Sequence, residues 1–179
     1  MTPPNSKNTW LIADTHFNHA NIIKYCNRPF QTSEEMDKAM ISNWNSVVKP
    51  GDEVYVLGDF LFHKGDSKLC QDILDQLKGL KYLIMGNHDH YDPDHYVSAG
   101  FRWVSPLPVI LDEFYVLSHH PQYVQENGVY VNIFGHIHNN PMYKTVSPRS
   151  YCVSVERINY TPIAFEEVKA KIKECSKDE

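Results

Sequence analysis

Thr9-Trp10-Leu11-Ile12-Ala13-Asp14-Thr15-His16 begins as an apolar run and ends on an acid and an imidazole. A short apolar run bounded in this way reads as a buried β-strand whose C-terminal end presents polar side chains to whatever lies beyond it. The same unit recurs along the chain. Val54–Leu57 runs into Gly58-Asp59, and Tyr82–Met85 into Gly86-Asn87-His88-Asp89. Phe114–Leu117 runs into Ser118-His119-His120-Pro121, and Val129–Phe134 into Gly135-His136-Ile137-His138. In open α/β sheets the ligand site lies beyond the carboxyl ends of the strands. Five such strands can therefore deliver all these polar residues to one rim.

The intervening stretches read as follows. Asn21–Cys26 suits a short helix. Thr32-x-x-Glu35 is a capping box for a helix to about Val48, with Met36, Met40, Ile41, Trp44, Val47 and Val48 at helical spacing. Pro50-Gly51 turns the chain. Asp66 is placed to cap a helix over Lys68–Lys78, with Gly79 as its stop. Phe101–Val104, Val109–Leu111 and Val153–Val155 read as further strands, and Ala164–Glu174 as a terminal helix. Tyr91–Gly100 and Gln122–Gly128 read as loops that set specificity. The order β-α-β-α-β, then mostly strands, then a helix predicts an α/β protein whose second half adds a more antiparallel sheet. With 179 residues and no internal repeat or linker, a single domain over 1–179 is expected.

Hydrophobic content of 42% and charged content of 22% are those of a soluble globular protein. A net charge of -5 argues against a dedicated nucleic-acid binder, which carries a basic face. It leaves a nuclease open, because bound cations add positive charge locally. The four cysteines, Cys26, Cys70, Cys152 and Cys175, are widely separated and form no CxxC pair, which speaks against a disulfide framework or a thiolate zinc site. Free cysteines fit a reducing compartment. Met1–Thr9 carries no apolar signal core, and no apolar run approaches the ~18 residues of a membrane span. A cytoplasmic protein without membrane contact is expected.

Taken singly, the polar segments are weak signals. Gly58-Asp59 is ordinary turn chemistry, and Asp14-x-His16 reads equally as a turn plus a surface imidazole. His136 and His138, at alternate positions of an extended backbone, point the same way and suit chelation or plain exposure. A turn explains Gly86 and Asn87 but not the His88-Asp89 pair beside them. Jointly the segments supply two Asp, one Asn and four His as potential metal ligands, with His88 left over and no thiolate. That is the oxygen and nitrogen donor set for a pair of divalent transition ions with one bridging carboxylate, and phosphate-ester hydrolysis is the chemistry such a pair performs.

In this order, D-x-H, G-D, G-N-H-D, H and G-H-x-H resembles the signature of the calcineurin-like metallophosphoesterase superfamily. Thr15–Phe30 (THFNHANIIKYCNRPF) is similar to small bacterial and phage members. The resemblance implies a four-layer α/β/β/α sandwich of two mixed sheets flanked by helices, with a dinuclear centre. One metal would be held by Asp14, His16, Asp59 and His138, the other by Asp59, Asn87, His119 and His136, with Asp59 as the bridge. His119 rather than His120 is the expected ligand, because it follows the strand in the family pattern. The donors suit Mn, Fe, Zn, Ni or Co.

The expected activity is hydrolysis of a small phosphodiester or phosphomonoester, nucleotides included, by a hydroxide generated between the metals. His88, next to Asn87, is the candidate general acid, and Asp89 the candidate to orient it. Asn87 and Arg28 are candidate substrate contacts; a surface salt bridge is the competing reading of Arg28. His19, His63 and His120 lie near motifs and within reach of substrate. Two alternatives stand beside this: a nuclease of the same superfamily, and a protein-binding scaffold that keeps the fold without catalysis. Retention of all seven ligands and His88 argues against the scaffold. The natural substrate and the oligomeric state are not legible from sequence.

Overall fold

A computed structural model of the protein describes residues 8–62 and 67–177. In chain order its elements are β1 (Thr9–Ile12), α1 (Ala20–Tyr25), α2 (Ser33–Val47), β2 (Glu53–Val56), α3 (Ser67–Leu74), β3 (Leu80–Ile84), α4 (Pro93–Ala99), β4 (Trp103–Ser105), β5 (Val109–Leu111), β6 (Tyr115–Ser118), β7 (Val131–Phe134), β8 (Val146–Ser147) and β9 (Ser150–Cys152). A 3₁₀ helix (Val155–Arg157), β10 (Ile163–Ala164) and α5 (Phe165–Cys175) complete the chain. They build two five-stranded sheets, ordered β10-β1-β2-β3-β4 and β5-β6-β7-β9-β8.

Side-chain alternation along the strands separates the layers. Ile12, Val54, Val56 and Leu83 face the helices and pack on Met36, Met40 and Trp44 of α2, Cys70, Ile73 and Leu74 of α3, and Tyr96 of α4. Leu11, Ala13, Leu57 and Ile84 face the other way, onto Leu117, Val131, Ile133 and Tyr151 of the second sheet. Phe165, Val168 and Ile172 of α5 join this inter-sheet core. Both sheets are mixed. The first is parallel from β1 to β4 with β10 antiparallel at its edge. The second is the more antiparallel, as expected, with the edge pairs β5–β6 and β8–β9 antiparallel, but its central pairs β6–β7 and β7–β9 are parallel.

Parallel register brings the strand ends level. Ile12 pairs with Val56 and Val56 with Leu83, so the loops carrying Asp14, Asp59 and Asn87 start side by side. Ser118 pairs with Phe134, which places His119 beside Gly135. The sheets are stitched at this same rim, where Ala13 N–H donates to Val153 O at 2.9 Å and Ala13 O accepts from Val155 N–H at 3.1 Å.

Three elements depart from the sequence reading. Tyr91–Gly100 contains a helix, α4; Asp92 at its N-cap, Pro93 at the first turn and Gly100 (φ 131°) at its end are ordinary helix punctuation. The helix expected to reach Lys78 ends at Leu74, and Gly79 (φ 87°) turns into β3 instead. Val153–Val155 is not a strand: β9 ends at Cys152 and the chain coils into the 3₁₀ helix. Asp66, the expected cap of α3, lies outside the described residues, as does His63.

The capping box of α2 forms with one change. Thr32 Oγ1 accepts from Glu35 N–H at 3.2 Å, while Glu35 reaches past Thr32 to Gln31 N–H at 2.8 Å. Thr32→Ala is expected to cost about 1 kcal/mol, read as a shift of a few degrees in Tm. A shift indistinguishable from zero would show that Glu35 alone holds this terminus.

Candidate metal centre

All seven donor residues read from the sequence meet at the shared strand-end rim. Asp14, His16 and Asp59 are almost completely buried, as is His119. Asp14, His16 and His138 each bring a donor atom within 4.8 Å of the others. On the other side, His119 Nε2 lies 3.0 Å from Asn87 Oδ1 and 3.1 Å from His136 Nδ1. Between the two groups stands Asp59. Its Oδ2 is 3.4 Å from His16 Nε2 and 3.4 Å from His119 Nε2.

The backbone is bent to make this possible. Asp14 (φ 58°), His16 (49°), Asp59 (53°), His136 (69°) and His138 (48°) all occupy the left-handed region. Few non-glycine residues adopt it, and it costs of order 1–3 kcal/mol per residue, so such strain gathers at functional sites. It also corrects the picture of His136 and His138 as neighbours on an extended strand. They sit on a turn, and their rings go to different clusters. Gly58 is forced by both conformation and space: φ is 83°, and a Cβ there would lie 2.5 Å from His119 Nδ1.

Hydrogen bonds fix the donors' orientation. His119 Nδ1–H donates to Leu57 O at 2.9 Å, leaving Nε2 to face Asp59. Asp14 accepts His136 N–H at 2.9 Å on each carboxylate oxygen. His88 N–H donates to Asp59 Oδ1 at 2.8 Å. Burial would raise the Asp59 carboxyl, but the His16 and His119 rings and the His88 N–H outweigh it and hold the group well below the usual carboxylate range. Burial holds His16 and His136 below the ordinary imidazole value, which favours the neutral, lone-pair-bearing ring. His16 Nε2 is buried and makes no aligned hydrogen bond, although it points toward Asp59. An unpaired polar atom in the core costs about 1–3 kcal/mol. An orphaned imidazole nitrogen directed at a carboxylate is what a divalent cation between them would satisfy, so the donors fit the expected metals.

Two candidate residues have other duties. Arg28, a candidate substrate contact or surface salt bridge, lies inside the protein rather than at its surface. Its side chain is fully buried, with Nη2 donating to Asp14 O at 2.7 Å, Nη1 to Thr15 O at 2.9 Å and Nε to Glu156 Oε1 at 2.9 Å. Asp89 is turned away from His88. Its carboxylate accepts N–H bonds from Asp59 (2.8 Å), Phe60 (3.1 Å) and Gly86 (2.8 Å), which clasps two site loops together. Burial pushes its carboxyl up to about 7 against those bonds. His88 is half-buried, with its ring 5.4 Å from that of His16. Asn87 and His120 are exposed at the rim. His19 is buried against His16 (Nδ1 to Nδ1, 3.4 Å) and stacks on Phe62 at 4.1 Å between ring centres.

Glu156 escaped the sequence reading. Its carboxylate is buried and accepts from His138 Nδ1 at 3.0 Å as well as from Arg28. The hydrogen bond from His138 and the Arg28 charge overcome burial and hold it down at about 2. Burial opposes charge on His138, but bonds to Cys26 and Glu156 and the Asp14 carboxylate lift its ring to about 10.

Comparison with known proteins decides the family. The family model for calcineurin-like phosphoesterases matches residues 7–118, which span the first three donor loops. The chain belongs to this family. It is 41% identical over 165 residues to the uncharacterized protein MJ1445 of Methanocaldococcus jannaschii, covering 88% of this chain and 86% of that one. It is 34% identical over 102 residues to the gene 66 protein of Mycobacterium phage L5, covering 54% of this chain and 48% of the phage protein. The crystal structure of AQ665 from Aquifex aeolicus, a protein of unknown function, superposes with a TM-score of 0.69 at 26% identity, over 92% of this chain and 99% of that one. The calcineurin-like phosphoesterase described here is thus of a class that hydrolyses phosphoesters with metal ions. Among the described residues no helix is long and apolar enough to cross a membrane.

Proposed function

We propose that the protein is a dinuclear metallophosphoesterase acting on a small phosphodiester or phosphomonoester. The observation that carries this reading is Asp59 Oδ2, equidistant at 3.4 Å from a nitrogen of each donor cluster. One ion is assigned to Asp14, His16, Asp59 and His138, and the other to Asp59, Asn87, His119 and His136. Divalent ions held by these residues would supply neutralisation of the phosphate oxygens and a hydroxide available near neutral pH.

The protein's own groups do the rest. The buried carboxylates and rings present their donors already oriented, so little reorganisation accompanies the reaction. Exposed Asn87 and half-buried His88 line the open side, where the ester must arrive. His88 is the group assigned to protonate the leaving oxygen. Its backbone N–H is pinned to Asp59, which holds the ring beside the centre without using it as a ligand. Asp89 supports His88 only indirectly, by holding Gly86 and Asp59 in place.

The direct test is turnover of bis-p-nitrophenyl phosphate and p-nitrophenyl phosphate by chelator-stripped protein before and after return of Mn²⁺. Restored hydrolysis supports the assignment, and the ratio of the two rates ranks diester against monoester. No turnover on either substrate with two ions bound points to a narrow natural substrate or to the scaffold reading. In His88→Ala, metal content is expected to stay at the wild-type level while kcat falls by about 10²–10⁴-fold on substrates with poor leaving groups. Parallel loss of metal and rate would reassign His88 to holding the centre together.

A further inference from the structure

We propose that Glu156 and Arg157, consecutive on the 3₁₀ helix, are positioning residues for His138, an assignment that rests on the dinuclear reading above. His138 sits on a strained turn (φ 48°), with its side chain only 18% exposed, and it has two nitrogens to choose between. Glu156 settles that choice. With Nδ1–H given to Glu156 Oε1 at 3.0 Å, only Nε2 is left to face Asp14 and His16. A carboxylate behind a ligating imidazole fixes its tautomer and raises its basicity.

Glu156 is itself held. Arg28 donates to the same Oε1 from Nε at 2.9 Å and Nη2 at 2.8 Å, and the remaining donors of that guanidinium grip the carbonyls of Asp14 and Thr15. The first donor loop and the last donor ring are therefore tied to one buried ion pair. Arg157 acts on the backbone of the same turn. Its Nε donates to His138 O, Nη1 to Tyr143 O and Thr145 Oγ1 at 3.0 Å each, and Nη2 to Asn140 O at 2.7 Å. One residue holds the ring of His138 and the next holds its carbonyl.

The rings of the second cluster take no hydrogen bond from Glu156 or Arg157, and the two clusters are linked here through Asp14, whose carboxylate accepts His136 N–H. His119 is anchored by Leu57 O, and His136 lies against His119. Because Glu156 bonds the ring of a donor of one cluster and of none in the other, a defect there is expected to fall on one ion and leave the other's donor rings in place. That distinguishes positioning from general support of the fold.

The experiment is calorimetric titration of Mn²⁺ into metal-free wild type and Glu156→Met, with thermal denaturation alongside. Methionine keeps the length of the side chain and removes its acceptor. The expected result is a roughly 10–100-fold weaker affinity at one of two sites and an unchanged affinity at the other. Two unchanged sites, or two equally weakened sites in a folded variant, would overturn the assignment.

A second measurement reads the tautomer in the wild type: the ring ¹⁵N–¹H spectrum of the Zn²⁺-loaded protein, with His138 identified by its absence in His138→Gln. Protonated Nδ1 with Nε2 on the ion is expected, and the reverse tautomer overturns the assignment. Wild type that binds fewer than two Mn²⁺ ions would sink the dinuclear reading instead, and the tautomer would still decide the part played by Glu156.

Discussion

Asp59→Asn is expected to bind fewer metal ions than wild type and to lose about 10²–10³-fold or more in kcat/KM on bis-p-nitrophenyl phosphate, with little change in Tm. The asymmetry follows from what each carboxylate oxygen does. Oδ1 accepts His88 N–H, a bond an asparagine carbonyl reproduces. Oδ2 is the atom shared by His16 and His119, and an amide nitrogen there is a donor that no cation can use. Flipping the amide only moves the misplaced donor onto His88 N–H. Electrostatic assistance by bound ions is worth several kcal/mol in such a reaction, and each 1.36 kcal/mol is tenfold in rate. The check is metal counting by plasma emission on the purified variant beside its kinetics. Wild-type metal content with wild-type turnover would remove Asp59 from the bridging role.

Arg28→Met carries the largest expected effect on stability, about 3–5 kcal/mol. The guanidinium and the Glu156 carboxylate are both almost wholly buried, at 0% and 3% side-chain exposure. Removing one leaves the other charge in the core with only His138 as a partner, and it strips the Asp14 and Thr15 carbonyls of their donors. Domains are stable by only about 5–15 kcal/mol. For a chain of this size the loss corresponds to a fall of roughly 6–20 °C in Tm. Differential scanning calorimetry reads this directly. A fall under about 2 °C would mean that the pair contributes specificity of arrangement but not stability. A loss of substrate affinity with no loss of stability would revive the surface substrate-contact reading of Arg28.

Why Arg28 misled the sequence reading is instructive. The segment Asn27-Arg28-Pro29-Phe30 follows the first donor loop, and an arginine near a phosphate site invites a phosphate-binding role. Its true partner is 128 residues away. Asp89 misled in the same way. Adjacent to His88, it looks like that ring's partner, but its carboxylate turns to the backbone of Asp59 and Phe60 on the neighbouring loop. For Glu156 a signal did exist. It follows Val153–Val155, an apolar segment that reads as a strand, with the same strand-end placement that marks the five donor loops.

The donor set and its strand-end placement were legible in the sequence because both are local. An apolar run, a turn and the polar residue after it lie within a few positions of one another, and the parallel sheet that lines up their ends follows from the βαβ order. Only the tertiary structure decided that β6 and β7 run parallel, that His136 and His138 sit on a left-handed turn rather than an extended strand, and that Arg28, Asp89 and Glu156 hold the site from behind. Each of these depends on which group a side chain meets across the fold. A carboxylate or guanidinium acquires its role from that partner and from its burial, and neither is written in the residues beside it.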